Sequence, residues 1–236
     1  MSDHAPRILI VDDGESVRKL LAPLVRHDGF ETVGASGETE AVERFGEAPF
    51  DLVVIDPLAP GLDGPGLCRR LRSAGPVAIL ALGAGAGEDE VVATLDAGAD
   101  EFVATPLSAR ELRSRIEALL RRPGAAGAQG GPGAGVIEHG EIRIDPLRRA
   151  VTVGGQPAQL TFAEFELLLA MASSPGRVWA RDQLLGQVWG ASDYRDPRTV
   201  DVHIRNLREK VEPEPASPEY VQTVRGVGYR FREDAA

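Results

Sequence analysis

The sequence contains very few residues of the types that form disulfides and metal sites. Cys68 is the only cysteine among 236 residues, so no intramolecular disulfide can form, and this usage fits a reducing compartment. The four histidines show no metal-ligand spacing, which argues against a zinc site: His4, His27, His139 and His203. The amino terminus lacks an apolar run long enough for a signal peptide or a membrane span. We therefore expect a cytoplasmic protein with no membrane partner.

The chain also has few basic residues relative to its acidic ones. The formal net charge is −10, and residues 1–122 account for −8 of it, with 13 Lys and Arg against 21 Asp and Glu. Residues 195–232 are the exception, with 8 basic and 6 acidic residues. This distribution argues against a non-specific nucleic-acid binder but allows a local basic face.

One segment is almost devoid of large side chains. Residues 121–135, RRPGAAGAQGGPGAG, have no apolar periodicity and cannot form a core. Residues 123–135 are therefore predicted to be a flexible linker, with a span of roughly 20 Å as a random coil. The linker separates two predicted domains, residues 5–122 and residues 136–233.

The first predicted domain alternates short apolar runs with helical patterns. Candidate strands are ILIV (8–11), ETVGA (31–35), LVVI (52–55), VAIL (77–80) and FV (102–103). Between them lie amphipathic stretches, at residues 17–25, 67–71, 91–95 and 112–120. This alternation predicts an α/β fold, a five-stranded doubly wound parallel sheet with helices on both faces. Ligands of such sheets bind at the carboxyl ends of the strands.

Three carboxylates are predicted to meet at that edge of the sheet. Asp12 and Asp13 follow the first strand, and Asp56 follows the third. Converging carboxylates repel one another unless a cation lies among them, and hard oxygen ligands suit Mg²⁺. The alternative for Asp12 or Asp13 alone is a capping role for a helix beginning near Glu15.

The motifs ILIVDD, DLVVIDPLAPGLDG (51–64) and GADEFVATP (98–106) resemble the receiver domain of two-component response regulators. In that family the last aspartate of the second motif accepts a phosphoryl group from a histidine kinase, which implies Asp56 here. The resemblance implies Asp12 and Asp13 as magnesium ligands beside it. The chemistry is in-line phosphoryl transfer to a carboxylate, with the metal neutralising charge on the phosphoryl oxygens.

The resemblance fails at the positions that sense the phosphoryl group. The family has a lysine before the proline of the fifth strand and a serine or threonine at the end of the fourth. This sequence has Thr105 and Ala81 there, and Phe102 is a third altered switch position. We therefore expect an atypical receiver that is switched weakly or not at all by phosphorylation. The glycine-rich loop LGAGAGED (82–89) follows the wrong strand for a dinucleotide fingerprint.

The second predicted domain begins with alternating residues and turn signals. Residues 141–161 predict a small antiparallel sheet with turns at Asp145-Pro146 and Gly154-Gly155. Thr161 and Glu164 form a capping box that starts one helix. Further helices are predicted at 181–189 and 197–211, and residues 221–231 predict a hairpin with Gly226 and Gly228 in its turn.

The last of these helices has two distinct faces. One face carries Val200, Ile204, Leu207 and Val211, with His203 at its margin. The opposite face carries Arg198, Val202, Arg205, Asn206 and Glu209, flanked by Asp201 and Arg208. Arginine suits guanine, asparagine suits adenine and valine suits a thymine methyl, so this helix is a candidate for major-groove recognition. The alternative is a solvated helix face.

Residues 136–233 resemble the winged helix-turn-helix DNA-binding domain of the OmpR/PhoB family, through LTFAEFELL, GRVWARDQLLGQVWG, RTVDVHIRNLREKVE and VRGVGYRF. The resemblance implies that Arg205, Asn206 and Arg208 face the major groove. It further implies that Arg198 and Thr199 approach the DNA backbone and that Arg225 enters the minor groove.

The same family pairs two receivers through their last two helices and last strand, using acid-base pairs. The matching residues are Asp100, Glu101, Glu111, Arg115 and Arg122, and the basic partner expected for Glu111 is replaced by Val91. Because exposed pairs contribute at most about 1 kcal/mol each, the apolar part of the face must carry association.

Taken together, these features predict a non-enzymatic, sequence-specific transcription regulator that binds direct repeats of double-stranded DNA as a homodimer. RNA polymerase is an expected partner. A sensor histidine kinase is a partner only if Asp56 is phosphorylated. Two alternatives remain open: a conventional regulator switched by phosphorylation of Asp56, and a receiver that senses a small molecule. A receiver acting as an acyl-phosphate hydrolase is disfavoured by the missing lysine and hydroxyl.

Overall fold

The computed structural model describes residues 5–12, 21, 29–120, 135–190 and 198–233. The chain divides into two compact units, Met1–Leu120 and Arg121–Ala236. Most of the predicted linker, like the stretch predicted to form the first helix apart from Leu21, lies outside the described residues. Within them, no helix is both long and apolar enough to cross a bilayer.

The first unit is built on a parallel five-stranded sheet in the order β2-β1-β3-β4-β5. Its strands are β1 (Arg7–Val11), β2 (Glu31–Ala35), β3 (Leu52–Ile55), β4 (Ala78–Ala84) and β5 (Glu101–Thr105). The central strand β3 is LVVI and is buried along its whole length, as expected for a strand covered on both faces. This topology confirms the predicted fold class.

The described helices of the first unit are α1 (Glu38–Glu47), α2 (Gly64–Ala74), α3 (Glu88–Asp96) and α4 (Ala109–Leu120). Helix α1 is absent from the sequence prediction, and only Ala41 of its ten residues is buried. Helix α2 begins where the Asp63 side chain accepts a hydrogen bond from the Gly66 N–H, with proline in the first turn.

Strand β4 is longer than predicted. It continues through Leu82, Gly83 and Ala84, which were expected to belong to a loop. These residues pair with Val103, Ala104 and Thr105 of β5, and this pairing overrides the low strand propensity of glycine. Only residues 85–87 separate the strand from α3.

Within residues 135–190 and 198–233, the second unit has a four-stranded antiparallel sheet, three helices and a three-stranded sheet. The first sheet contains β6 (Ile137–His139), β7 (Ile142–Asp145), β8 (Ala150–Val153) and β9 (Gln156–Ala158). The helices are α5 (Phe162–Ala172), α6 (Arg181–Trp189) and α7 (Arg198–Val211). The second sheet has the order β10-β12-β11 and contains β10 (Trp179–Ala180), β11 (Val221–Val224) and β12 (Gly228–Phe231).

Local signals in the sequence position these helices. The Thr161 hydroxyl accepts the Glu164 N–H, and the Glu164 carboxylate accepts the Thr161 N–H, which confirms the predicted capping box. The same carboxylate is bonded to Lys210 Nζ at 2.6 Å, so the start of α5 is tied to α7. Glu164 is only 1% exposed, whereas Lys210 stays exposed, so the carboxylate is buried and the ammonium reaches it from the surface.

Strands β11 and β12 form the predicted hairpin, with Tyr229 and Phe231 buried. The assignment of Gly228 to the turn is wrong, because Gly228 is the first residue of β12 and pairs with Ala180. A side chain at this position would collide with the Trp179 carbonyl oxygen. Gly228 is therefore required for the close approach of β12 to β10.

Candidate phosphoacceptor pocket and DNA-binding surface

Asp12 and Asp56 lie side by side at the carboxyl edge of the first unit's sheet. They directly follow Val11 and Ile55, which are paired in the sheet, and the Asp56 N–H donates to the Val11 carbonyl at 3.1 Å. Asp12 is 1% exposed, whereas Asp56 is half-buried. One Asp56 oxygen accepts the Leu58 N–H at 3.0 Å, which orients the carboxylate.

The donor set at this edge fits a hard divalent cation. Asp12 and Asp56 supply carboxylate oxygens, the ligands that Mg²⁺ prefers. No cluster of three acidic, histidine or cysteine ligands occurs within the part of the chain that the structure describes. Asp13, the third predicted ligand, lies outside that part.

The altered switch positions lie on the two neighbouring strands β4 and β5. Ala81 pairs with Phe102, and Ala84 pairs with Thr105, across β4 and β5. Ala81 is fully buried, also pairs with Ile55 at the end of β3, and offers no hydroxyl to the edge that holds Asp56. Thr105 is half-buried and precedes Pro106 through a cis peptide bond.

The Phe102 ring lies over a glycine of the neighbouring strand. A Cβ atom placed on Gly83 would approach the Phe102 Cζ to 2.8 Å and the Leu58 Cδ1 to 3.2 Å. The ring and Leu58 thus occupy the space that a side chain at position 83 would need. Since Leu58 is two residues after Asp56, this apolar group borders the predicted phosphoacceptor.

Asp100, predicted to lie on the dimer face, is instead an internal residue. It is fully buried, and its carboxylate accepts the Ile79 N–H at 2.8 Å and pairs with the Arg72 guanidinium. Arg72 also donates to the carbonyl oxygens of Gly98 and Val77. The buried carboxylate is thereby held by α2 and β4.

Glu101 and Arg115 are likewise buried and form an ion pair within one chain. They are 2% and 3% exposed and are paired with each other. Arg115 also donates to Glu111 at 2.6 Å, one turn earlier in α4. Their burial and mutual pairing argue against exposed acid-base pairs at Glu101 and Arg115, and their place on a dimer face stays a prediction. Glu111 is half-buried, and Arg122 lies outside the described residues.

Helix α7 presents a basic outer side, as the sequence predicts, with two exceptions, Asn206 and Arg208. Arg198 and Arg205 are exposed, and Thr199 and Val202 are half-buried. Asn206 is only 8% exposed, so the prediction that it lies on the outer face is wrong.

The reason is that Asn206 shares a stripe of α7 with His203 and Lys210. The His203 ring, itself 1% exposed, lies 5.5 Å from the Trp189 ring, and Lys210 is bonded to Glu164. The preceding helices therefore cover this flank.

Arg208 points towards the hairpin, which removes it from the outer face. Its guanidinium donates to the Val221 carbonyl at 2.7 and 2.9 Å and to the Thr223 hydroxyl at 2.8 Å. Burial lowers the pKa of Arg208 from its ordinary value. The hairpin tip itself is open: Arg225 is exposed, and Gly226 next to it has φ of 75°.

Sequence reasoning missed a polar cluster between α7 and the hairpin. Asp201 accepts hydrogen bonds from the Tyr229 hydroxyl and from Arg181 Nε, each at 2.7 Å. Burial, and then the bond to Asp201, raise the pKa of Tyr229 to about 12, while the bond to Asp201 raises the pKa of Arg181. The three residues are widely spaced in the sequence, so no local pattern signals their contact.

Comparison with known proteins matches both units to families. Residues 8–117 match the response regulator receiver domain, and residues 155–231 match the transcriptional regulatory protein, C terminal. The sensory transduction protein RegX3 of Mycolicibacterium smegmatis is 41% identical over 224 residues, covering 95% of this chain and 98% of that protein. The DNA-binding response regulator MtrA of the same organism is 40% identical over 230 residues, covering 98% of each chain.

A solved structure of a mutant of RitR has the same fold. Its TM-score is 0.73 at 22% identity, and the match covers 97% of this chain and 100% of that one. With a receiver fold that brings Asp12 and Asp56 together, a basic helix beside a hairpin and relatives matched along nearly their whole length, the chain belongs to the OmpR/PhoB-type DNA-binding response regulators, which regulate transcription.

Proposed function

We propose that this regulator binds direct repeats of double-stranded DNA as a homodimer and that phosphorylation of its receiver is only weakly coupled to DNA binding. The observation that carries this proposal is the pairing of Ala81 with Phe102 beside Asp56, with Thr105 at the end of the same strand. None of these three side chains supplies the cation of a conventional switch, and Ala81 lacks the hydroxyl that the family has at its position.

The missing contacts determine how much free energy a phosphoryl group loses for shifting the conformation of the receiver. A charge-assisted hydrogen bond to an anion contributes roughly 1.5–3 kcal/mol, and a neutral hydroxyl contributes about 1 kcal/mol. A phosphoryl group shifts a conformational equilibrium only through contacts that differ between the two states. Removing both contacts removes most of the free energy that would separate those states. The Thr105 hydroxyl compensates only in part, because it carries no charge.

Asp56 keeps the position of a phosphoacceptor. Asp12, Asp13 and Asp56 would hold Mg²⁺, which supplies neutralisation of the phosphoryl oxygens when it is bound. The Leu58 N–H fixes one Asp56 oxygen, leaving the carboxylate oriented at the open edge of the sheet. Phosphoryl transfer to Asp56 from a kinase is thus compatible with the pocket, and the proposal concerns its consequence.

On the DNA side, we assign base contacts to the outer side of α7. Arg205 and Val202 would read bases in the major groove, Arg198 and Thr199 would contact the backbone, and Arg225 would enter the minor groove. Asn206 and Arg208 are left out of the base-reading set because they face the protein. Residues 123–135 would act as the linker between the two domains, and RNA polymerase is the proposed partner on DNA.

Association of two copies would rest on apolar contacts of the receiver. Val91 and Val92 of α3 are half-buried, and Val91 lies where the family places a basic residue. Asp100, Glu101 and Arg115 are buried and form ion pairs within the chain, so we assign the association to the apolar side chains. A dimer of this kind does not require a phosphoryl group.

The experiment compares the dimer fraction by sedimentation velocity with and without acetyl phosphate and Mg²⁺, with the intact mass recorded on the same samples. The variants are the wild type, Asp56→Asn and the double substitution Ala81→Thr with Thr105→Lys. We expect the wild-type dimer fraction to stay constant even where the mass shows an adduct, and the double variant to respond. A wild-type response that Asp56→Asn abolishes would establish the conventional switch instead.

A further inference from the structure

The flank of α7 that faces the hairpin carries two polar anchors, Asp201 and Arg208. They are seven residues apart, which is close to two helical turns or about 10.5 Å along the axis. Both therefore point in nearly the same direction, towards β11 and β12. A helix held at two such points can neither rotate nor slide relative to the hairpin without breaking a contact.

The first anchor joins three elements. One Asp201 oxygen, Oδ1, accepts both the Tyr229 hydroxyl of β12 and Nε of Arg181, the first residue of α6, at 2.7 Å each. The Arg181 guanidinium lies 5.2 Å from the centroid of the Tyr229 ring. Tyr229 is only 5% exposed, so its hydroxyl is held by protein contacts.

The second anchor reaches the other strand of the hairpin. Arg208 binds the Val221 carbonyl and the Thr223 hydroxyl, and its guanidinium lies 5.5 Å from the same Tyr229 ring. Thr223 is the cross-strand partner of Tyr229. The two anchors therefore converge on one point of the hairpin.

That point lies just behind the hairpin tip. Arg225 comes two residues after Thr223 and directly after Val224, the last residue of β11. Only the pair of Val224 with Gly228 lies between Thr223 and the turn. A tilt of the strands at Thr223 and Tyr229 would therefore also move Arg225.

We propose that Asp201, Tyr229 and Arg208 are positioning residues that set the distance between the base-reading side of α7 and the hairpin tip. They would act on DNA through Arg225, not by touching it. The inference rests on the proposed function of Arg225 as a minor-groove contact. The inference predicts that DNA specificity depends on the fixed distance between α7 in the major groove and Arg225 in the minor groove. The side chains that enter the two grooves are the other determinant.

The test is a double-mutant cycle of Tyr229→Phe with Arg225→Ala in the full-length chain. The probe is a duplex enriched from a random pool by the wild-type chain. Tyr229→Phe keeps the ring but removes the hydrogen bond to Asp201. We expect it to weaken binding about fivefold in the wild-type background and less than about twofold when Arg225 is already absent, within the range of coupling found for residues that act together.

Two further variants separate positioning from general stability. Gln222→Ala removes a hydrogen bond to Arg230 across the hairpin that does not involve α7, and it should leave affinity unchanged. Thr223→Val removes the hydrogen bond from Arg208 to the Thr223 hydroxyl at an exposed position, so it should not unfold the domain. Like Tyr229→Phe, it should weaken DNA binding more when Arg225 is present than when Arg225 is replaced by alanine. The melting temperature of each variant is measured alongside.

The outcomes distinguish the two claims. If Arg225→Ala leaves affinity unchanged, the proposed minor-groove contact is wrong and the inference falls with it. If Arg225→Ala weakens binding but Tyr229→Phe costs the same in both backgrounds, or nothing in either, the contact stands and the positioning role is refuted. Coupling for Tyr229→Phe and Thr223→Val, with none for Gln222→Ala, supports the inference.

Discussion

Replacing Gly228 by alanine should destabilise the second unit strongly, because the added methyl group has no space. The Cβ would stand 3.1 Å from the Ala180 Cα and 3.2 Å from the Arg181 N, and closer still to the Trp179 carbonyl oxygen. All three atoms belong to the backbone of β10 and the start of α6, so no side chain can rotate out of the way. Strand β12 would have to move away from β10.

The magnitude follows from what that movement breaks. Overpacking a close contact costs typically 1–3 kcal/mol. Separation would also weaken the two-residue pairing of β10 with β12, at about 0.5–1.5 kcal/mol for each hydrogen bond. We expect a loss of about 3 kcal/mol in the free energy of unfolding. For a domain of this size, this loss corresponds to a decrease of about 12 °C or more in melting temperature.

The assay uses the tryptophans of the protein. Trp179 and Trp189 are the only two in the sequence, and both are buried in the second unit, so their fluorescence reports its unfolding. Gly186→Ala is the matched control, since a Cβ there meets nothing within 4 Å and the residue lies inside α6. That control should stabilise the unit by about 0.5–1 kcal/mol. A loss below about 1 kcal/mol for Gly228→Ala would refute the overpacking argument.

Two further predictions concern titratable groups. Burial raises the pKa of the Cys68 thiol to about 12. Cys68 should therefore resist alkylation by iodoacetamide at neutral pH until urea unfolds the chain. Rapid labelling of the native protein, measured by mass spectrometry, would contradict this prediction. The pKa of Tyr229 is raised to about 12, whereas an unfolded tyrosine titrates near pH 10. The folded state therefore keeps this proton longer, and its stabilising contribution, complete below pH 10, should be lost as the pH rises towards 12. Urea unfolding of wild type and Tyr229→Phe should show a steeper decline for the wild type across that interval, and parallel curves would contradict the assignment.

Much of the fold was predictable because its signals are local. The apolar run at 52–55 coincides with β3, and the Thr161 capping box marks the start of α5. Helix α1 was missed because it buries little besides Ala41, which leaves a weak pattern. The end of β4 was misassigned because its glycines signal a turn, whereas pairing with β5 decides the conformation.

Only the part of the site that follows from the direction of the strands could be predicted from the sequence. Asp12 and Asp56 meet because they follow adjacent parallel strands. A helical wheel gives the angle of Asn206 but not the neighbours that cover it, so its burial was not foreseen. Contacts between distant elements, such as those of Asp100 with Arg72, depend on packing that no local pattern encodes.

The most direct test of the weak coupling between phosphorylation and DNA binding is a measurement of DNA affinity. The full-length wild type and Asp56→Asn are each titrated with the duplex enriched from a random pool, with and without acetyl phosphate and Mg²⁺. The double variant Ala81→Thr with Thr105→Lys serves as the positive control. The account predicts that wild-type affinity changes less than about twofold while the control tightens by about tenfold or more. Tenfold corresponds to about 1.4 kcal/mol, which is less than the roughly 2.5–4 kcal/mol that the two restored contacts together can supply. A wild-type affinity that tightens tenfold with acetyl phosphate, and does not do so in Asp56→Asn, would contradict it.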